Sequence, residues 1–307
     1  MEFGPHLMLA ALEGAVTAAV LALMAAGLSL VFGVMRVVNV AHGEFYMLGA
    51  VLAFVVAGMA GGGAPGFVAA LVAVPLIVAA LAVAADRAVL RRLSYDPERT
   101  IVATIGILYI LQQLALMGYG PDARPVAPPF NHRIALPWID WGAGGPVLTW
   151  PWGLSITSYK LFVIGAAATV LAGLWLLMTR TRIGLVMRAT QLDRETAQTF
   201  GIPVGRVYAL VFGLGAGLAA LAGVLIVPIQ QAHYLMGGDA LLLSFIVVII
   251  GGLGSLPGTL IAAVLIGLSD GIISVFFSPT LAKIIATLLV ALVLVFRPQG
   301  LMGKPAR

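Results

Sequence analysis

The stretch GGDALLLSFIVVIIGGLGSLPGTLIAAVLIG, residues Gly237 to Gly267, carries one charge, Asp239, in 31 positions. A bilayer-spanning helix needs about 20 mostly apolar residues, so the stretch reads as membrane-embedded. The sequence GGLGSLPG, Gly251 to Gly258, interrupts it with helix-breaking residues. Ahead of that break Ala240 to Ile250 supplies 11 residues, about 16 Å of helix against a hydrocarbon core of about 30 Å. A discontinuous or re-entrant helix is expected there rather than two full spans.

The rest of the 307-residue chain has the same character. Hydrophobic residues make up 61%, charged residues 9%, and the mean hydropathy is +1.09, whereas a soluble domain is about a quarter charged. A soluble globular fold is excluded, and the long apolar runs speak against a β-barrel, whose strands alternate polar and apolar residues. The 37 glycines suit helices that pack closely. With no cysteine, disulfides, thiolate metal sites and thiol catalysis are excluded.

Charge-free intervals mark further spans. Glu13 to Arg36 encloses 22 uncharged residues, Glu44 to Asp86 encloses 41, Arg99 to Asp122 encloses 22 and Lys160 to Arg180 encloses 19. The second interval is divided by GGGAPG, Gly61 to Gly66, giving two helices joined by a short turn. Ser278-Pro279 then opens a last apolar helix, with Ser as N-cap and Pro at the first helical position. The fold expected is all-α and polytopic, about eight to nine transmembrane helices with one or two discontinuous or re-entrant, in a single transmembrane domain over 1–307. MEFGPHLM at the start does not resemble a removable signal peptide, so the first helix is expected to remain as an anchor.

Orientation follows from the basic residues, which collect in short cytoplasmic loops. Arg87, Arg91, Arg92 and Arg99 lie in one loop, Arg180, Arg182, Arg188, Arg194 and Arg206 in another, and Arg297, Lys304 and Arg307 in the tail. These segments are expected in the cytoplasm, with the N-terminus outside and the C-terminus inside. The outer segment 119–159 holds seven of 17 prolines and Trp138, Trp141, Trp150 and Trp152. It reads as a rigid, irregular cap, whose tryptophans fit an interfacial aromatic belt or a partner site.

Several chemistries have no support. The 14 arginines and three lysines are scattered, so the net charge of +5 marks topology rather than a nucleic-acid surface. Lys160, Lys283 and Lys304 all lack the GxxxxGK[ST] context of an ATP-binding loop. His6, His42, His132 and His233 lie apart, with no HExxH spacing for a metal or acid/base site. Glu13, Asp239, Asp270 and Lys283 can all be placed near helix ends, which gives little basis for an ion relay.

Two segments carry information. GLSLVFGVMRVVNVAHGEFYMLGA, Gly27 to Ala50, sets Arg36, Asn39, His42 and Glu44 between apolar stretches. It is either a loop between spans or a polar, Gly-flanked helix break that lines a path or braces it. TRIGLVMRATQLDRETAQTFGIPVGR, Thr181 to Arg206, places Leu185, Ala189, Leu192 and Phe200 at roughly helical spacing, with Arg188, Gln191, Glu195 and Gln198 opposite. This reads as one short amphipathic helix ended by Gly201 and Pro203, lying on the membrane or docking a cytoplasmic partner.

These two segments, the Ala197-x3-Gly201 step and the Gly237 to Gly267 stretch together resemble the LivH-type permease family of branched-chain amino acid ABC importers. The resemblance spans nearly the whole chain. It implies a permease, not an enzyme, in the bacterial inner membrane, working by alternating access on leucine, isoleucine or valine. Permeases for urea and short-chain amides look similar, and a stand-alone carrier or channel is a further alternative. The implied partners are a second, LivM-type permease, two cytoplasmic ATPases that bind the ATP, a periplasmic amino-acid-binding protein and membrane lipid. No cofactor is expected on this chain. By position, residues 180–203 match the coupling element, with Arg188, Asp193, Glu195, Ala197, Gly201 and Pro203 as its residues; Arg188-Ala189-Thr190 stands where the family usually has Glu-Ala-Ala. Asn39, His42, Gly43, Glu44, Gly251, Gly252 and Gly254 are candidates for the path or its helix breaks, and the glycines, with Gly33, serve either backbone approach to substrate or close helix packing.

Overall fold

The computed structural model describes residues 3–135, 138–142, 145–149, 155–297 and 299–302. Its helices are α1 (Phe3–Met35), α2 (His42–Met59), α3 (Gly63–Ala88), α4 (Pro97–Tyr119), α5 (Ser158–Arg180), α6 (Arg182–Leu192), α7 (Arg194–Thr199), α8 (Val204–Ile226), α9 (Met236–Gly251), α10 (Leu256–Phe276) and α11 (Pro279–Phe296). Among the described residues, eight are long and apolar enough to cross a membrane; α6, α7 and the 16-residue α9 fall short.

The helix starts follow from local chemistry. Asp96, Ser255 and Ser278 each accept a backbone N–H of the first turn of α4, α10 and α11, at 3.0, 3.3 and 3.1 Å, with a proline in that turn. The GGGAPG turn is tight because Gly61, Gly62 and Gly63 all take positive φ, which side chains disfavour.

Contacts fix the direction of each helix. Thr259 of α10 meets Ser29 of α1 at 3.0 Å, while Gly271 lies against Gly14, so the two helices run antiparallel. Past α11 the chain returns to the end of α9, where Leu301 N–H donates to Ile250 at 2.7 Å and Met302 N–H to Gly251 at 3.2 Å. Residues 3 and 302 therefore lie at opposite ends of the bundle. Helix α9 starts against α2, Gly237 on Gly43, and ends at the α6 end of the bundle. It is unbroken and progresses through the bundle instead of folding back; the break in the Gly251 to Gly258 sequence is the turn between α9 and α10.

Three expectations change. First, charges used to bound the spans lie inside helices. Glu13 sits in α1 and pairs with Lys160 of α5, while Glu44 in α2 and Asp86 in α3 are fully buried, which is possible because they face other helices rather than lipid. Second, the cap is not irregular: β1 (Arg133–Ala135) pairs antiparallel with β4 (Ser155–Thr157), and β2 (Trp138–Gly142) with β3 (Gly145–Thr149). Trp138 and Trp141 lie on β2; Trp150 and Trp152 fall outside the described residues. Arg124 and Ala232 exchange two backbone bonds of 3.0 Å, tying the cap to the chain after α8. Third, the segment expected as one amphipathic helix is α6 and α7, broken at Asp193, which is extended and caps α7.

The core is assembled by backbone-to-backbone contact. A Cβ on Gly27 of α1 would fall 2.6 Å from the Gly215 carbonyl of α8, and one on Gly215 2.9 Å from the Gly27 carbonyl. A mutual contact this close admits no side chain. Gly27→Leu is expected to destabilise the purified protein by about 1–3 kcal/mol through overpacking, whereas Gly106→Leu, on a part of α4 with open space around it, is tolerated. Thermal unfolding in detergent compares the two, and an equal loss would argue against the contact being limiting.

Candidate functional site

The first sequence-derived group surrounds the reversal between α1 and α2. Helix α1 ends at Met35 because Arg36 takes the left-handed conformation, φ +55. The Arg36 N–H still bonds to the Phe32 carbonyl at 2.9 Å and the Ala41 carbonyl accepts from Phe45 at 3.3 Å; between them side chains supply part of what the helix does not. Asn39 Oδ1 accepts the Ala41 N–H at 3.1 Å, and Thr104 of α4 accepts that of Val40 at 3.2 Å. His42 donates from Nε2 to the Met24 carbonyl of α1 at 3.0 Å, which fixes its tautomer, since a carbonyl only accepts. Asn39, His42 and Glu44 are at most 1% exposed. The segment is therefore an interior break and not a solvated loop. His42 Nδ1 and Glu44 Oε2 have no hydrogen-bond partner among the described residues.

Gly43 packs on the Gly237 carbonyl at the start of α9, and a Cβ on Gly237 would come 3.0 Å from Glu44 Oε1. Gly251, Gly252 and Gly254 lie at the other end of α9, about 21 Å away at 1.5 Å per residue. The structure thus separates the two sets of candidate path residues. Gly251 is packed on Gly258 and Gly252 on Gly300; Gly254 meets Gly33 and borders open space.

That space is a cleft of about 730 Å³ between the end of α1, α6 and the α9–α10 turn, lined by Phe32, Arg36, Arg188, Gln191, Ser255 and Met302 among others. Arg188 donates to the Met178 carbonyl, Arg36 to the Gln191 carbonyl at 3.4 Å, and Gln191 Nε2 to the Gly254 carbonyl at 3.3 Å. The cleft has a mostly apolar wall that includes Phe32, Leu185, Leu192, Leu253 and Met302, and it is rimmed by the guanidiniums of Arg36 and Arg188.

Helices α6 and α7 form the outer wall of this end. Asp193 accepts the Glu195 and Thr196 N–H groups at 2.9 and 3.1 Å and the Thr196 hydroxyl at 2.5 Å. The side packed on the bundle is Gly184, Met187, Thr190 and Ala197. The apolar face expected from spacing is not the packed one: Leu185, Leu192 and Phe200 are 59%, 71% and 82% exposed. The reason is the break at Asp193, which reorients α7, together with the lack of a side chain at Gly184, which seats α6 directly on the Leu177 and Met178 carbonyls. Glu195 is exposed, Gly201 turns the chain with φ +81, and Pro203 precedes α8. Arg188 thus lies on α6, Asp193 at the break, Glu195 and Ala197 on α7, and Gly201 and Pro203 in the turn into α8.

Sequence reasoning passed over a cluster beside it. Tyr95 and Tyr208 are buried edge to face, their centroids 4.6 Å apart, and Arg194 lies over both rings. A charged residue seven positions before a glycine turn gives no signal of an aromatic partner more than ten residues distant. Both tyrosines were readable only as core.

The hydrogen bond from the Thr196 hydroxyl, reinforced by backbone N–H groups, holds the Asp193 carboxyl below the usual carboxylate range. A depressed value means that the cap stabilises α7 above the unfolded carboxylate value and is lost as pH falls through the folded one. Asp193→Ala is expected to expose the Glu195 and Thr196 amides to fast hydrogen exchange at neutral pH while Asp193→Asn keeps most protection. Unchanged exchange in the alanine variant would show that the cap does not order α7.

Residues 10–294 match the family described as branched-chain amino acid transport system, permease component. The high-affinity branched-chain amino acid transport system permease protein LivH of Escherichia coli is 30% identical over 92% of this chain and 91% of its own. The permease protein BraD of Pseudomonas aeruginosa, described in the same terms, is 28% identical over 98% and 97%. In fold the chain is similar to PsaBC from Streptococcus pneumoniae, solved in complex with a Fab, with a TM-score of 0.50, 11% identity and coverage of 94% and 91%. The chain belongs to the permease component family of branched-chain amino acid transport systems.

Proposed function

We propose that this protein is the LivH-type half of an ATP-driven importer for leucine, isoleucine and valine in the bacterial inner membrane. A second, LivM-type permease completes the membrane part, two ATPases bind and hydrolyse the ATP, and a periplasmic protein delivers the amino acid. The observation that carries this reading is the uncovered apolar side of α6 and α7. Leu185, Leu192 and Phe200 stand out at the end of the bundle where the arginine-rich segments gather. Arg91 lies near Gly205 and Arg194 near Tyr95, so the two basic loops adjoin, and the chain after Arg297 returns to the same end. Clustered arginines between apolar spans favour the cytoplasmic side, which supports an orientation with the cap and residue 3 outside.

The cleft at this end opens beside the docking element. Closure of the ATPases pushes α6 and α7, whose bonds to Met178, Gly254 and Arg36 pass the displacement to α5, the α9–α10 turn and α1. The helices rock, and the route is exposed alternately to the two faces. An apolar amino acid side chain suits a route with few fixed charges along the spans, and a cleft of about 730 Å³ has room for it.

The test is uptake of labelled leucine into proteoliposomes holding this chain with its second permease, ATPases and binding protein. Uptake should require ATP and every partner. Phe200→Glu, which changes an exposed side chain, should weaken ATPase capture by about tenfold or more, the scale of one buried aromatic anchor at an interface. Uptake by this chain alone that an uncoupler abolishes would replace the reading with a secondary carrier. Uptake of urea or acetamide but not leucine would move the substrate class.

A further inference from the structure

Positive charge at the α6 end of the bundle is not balanced by acid. From Leu161 to Leu192 the chain carries Arg180, Arg182 and Arg188 and no acidic residue. Among the described residues the ion pairs are Glu13 with Lys160 and Asp239 with Lys283, so neither Arg36 nor Arg188 is paired with a carboxylate. Arg36 donates to the Gln191 carbonyl at 3.4 Å and Arg188 to that of Met178, which leaves most of the five N–H groups of each guanidinium for something else. Asp193 lies within electrostatic reach of Arg36, but its oxygens accept from Thr196 and the first amides of α7. Both arginines border the 730 Å³ cleft, and no acidic side chain lines it.

A second cavity, about 220 Å³, adjoins the cleft and shares Gly33, Arg188, Gln191, Gly254 and Ser255 with it. From there it continues between α5 and the start of α10 over α1, along Leu30, Val34, Trp175, Leu256 and Pro257. Gly33 is the floor where the two meet, since a Cβ there would come 3.0 Å from Gly254 Cα and 3.2 Å from Gln191 Nε2. Trp175 is 49% exposed and lies about 8 Å of helix before the end of α5, so the furrow opens on the outer surface of the bundle. An indole at that depth suits the boundary between hydrocarbon and headgroups.

Charge selects the occupant. A zwitterion such as a free amino acid would bring its ammonium beside two guanidiniums, with no carboxylate to receive it. A phosphate diester brings one negative charge and oxygens that match the guanidinium fork, and its acyl chains match the furrow. We infer that Arg36 and Arg188, with the furrow between α5 and α10, form a binding site for a phospholipid of net negative charge. One acyl chain lies along Trp175 and the phosphate rests at the guanidiniums. Basic pockets between spanning helices on the cytoplasmic side take headgroups of this kind. The inference borrows from the proposed function only the orientation, which sets this end in the cytoplasmic leaflet.

The test titrates the full chain, freed of lipid in a neutral detergent, with phosphatidylglycerol and with phosphatidylcholine of the same acyl chains, and counts bound lipid by native mass spectrometry. Phosphatidylglycerol should bind about tenfold more tightly, and Arg36→Gln and Arg188→Gln should each weaken it by about fivefold, the scale of one basic side chain at an anionic lipid surface. Phosphatidylcholine binding and the unfolding temperature without lipid should not change. If Arg188→Gln unfolds early through loss of its bond to Met178, Arg36→Gln and the comparison of the two lipids carry the test. Arg99→Gln removes the same charge from the exposed start of α4 and should bind like the wild type. Inorganic phosphate and glycerophosphoglycerol, which lack acyl chains, should not displace the lipid. Displacement by either would assign the site to a soluble anion, and displacement by leucine to the substrate. Any of these displacements, equal binding of the two lipids, or an equal loss in Arg99→Gln would overturn the lipid site. Transport does not enter the measurement, so absence of ATP-dependent leucine uptake would strike the functional reading and leave this one standing.

Discussion

In a hydrocarbon layer no water is available to satisfy a backbone amide or carbonyl, and each one left unpaired costs several kcal/mol. The reversal at residues 36–41 meets that constraint with Asn39, Thr104 and the N–H to C=O bonds that start α2. Much else depends on this solution. With the Val40 and Ala41 amides paired inside the protein, α2 starts within the bundle, with His42 at the level of Met24 in α1 and Gly43 against the first turn of α9.

The second dependence is on contact distance. Helices that gain no hydrophobic energy from leaving lipid associate through close van der Waals packing. Gly27 on Gly215, Gly43 on Gly237 and Gly14 against α10 bring backbones into contact along α1, α2, α8, α9 and α10. Large side chains such as Phe45, Phe212 and Tyr159 fill the spaces between these contacts. The Tyr159 hydroxyl reaches the Leu225 carbonyl at 2.7 Å, a polar end satisfied within an otherwise apolar cluster.

Apolar runs and breaker residues made much of this readable in advance. Ser278-Pro279, Gly61 to Gly66 and the Gly251 to Gly258 break all mark real helix limits, because capping and turn formation involve only neighbours. Spacing also drew Asn39, His42, Gly43 and Glu44 together. What spacing could not show was which charges are buried. Glu44 and Asp86 were treated as span limits, yet helices from elsewhere in the chain enclose them. The same limit applies to α6 and α7: periodicity found the apolar positions, but an apolar side chain that stays exposed looks the same in sequence as one that packs on its own fold. The Arg194, Tyr95 and Tyr208 cluster joins three separate segments and leaves no local pattern at all.

The placement of the buried polar groups also bears on how the route is built. Asn39, His42 and Glu44 are enclosed by helices of this one chain, with His42 committed to Met24 and Asn39 to Ala41. Asn39 and His42, held this way, brace the frame around α1, α2 and α9. The open volume instead lies at the end of α1, between α6 and the α9–α10 turn, where Gly33 and Gly254 leave the wall thin. The buried centre and the open volume thus lie at different levels of the bundle. The scarcity of charge that marked the chain as membrane-embedded has a spatial counterpart, since most of the arginines gather in the segments at the α6 end and few lie along the spans.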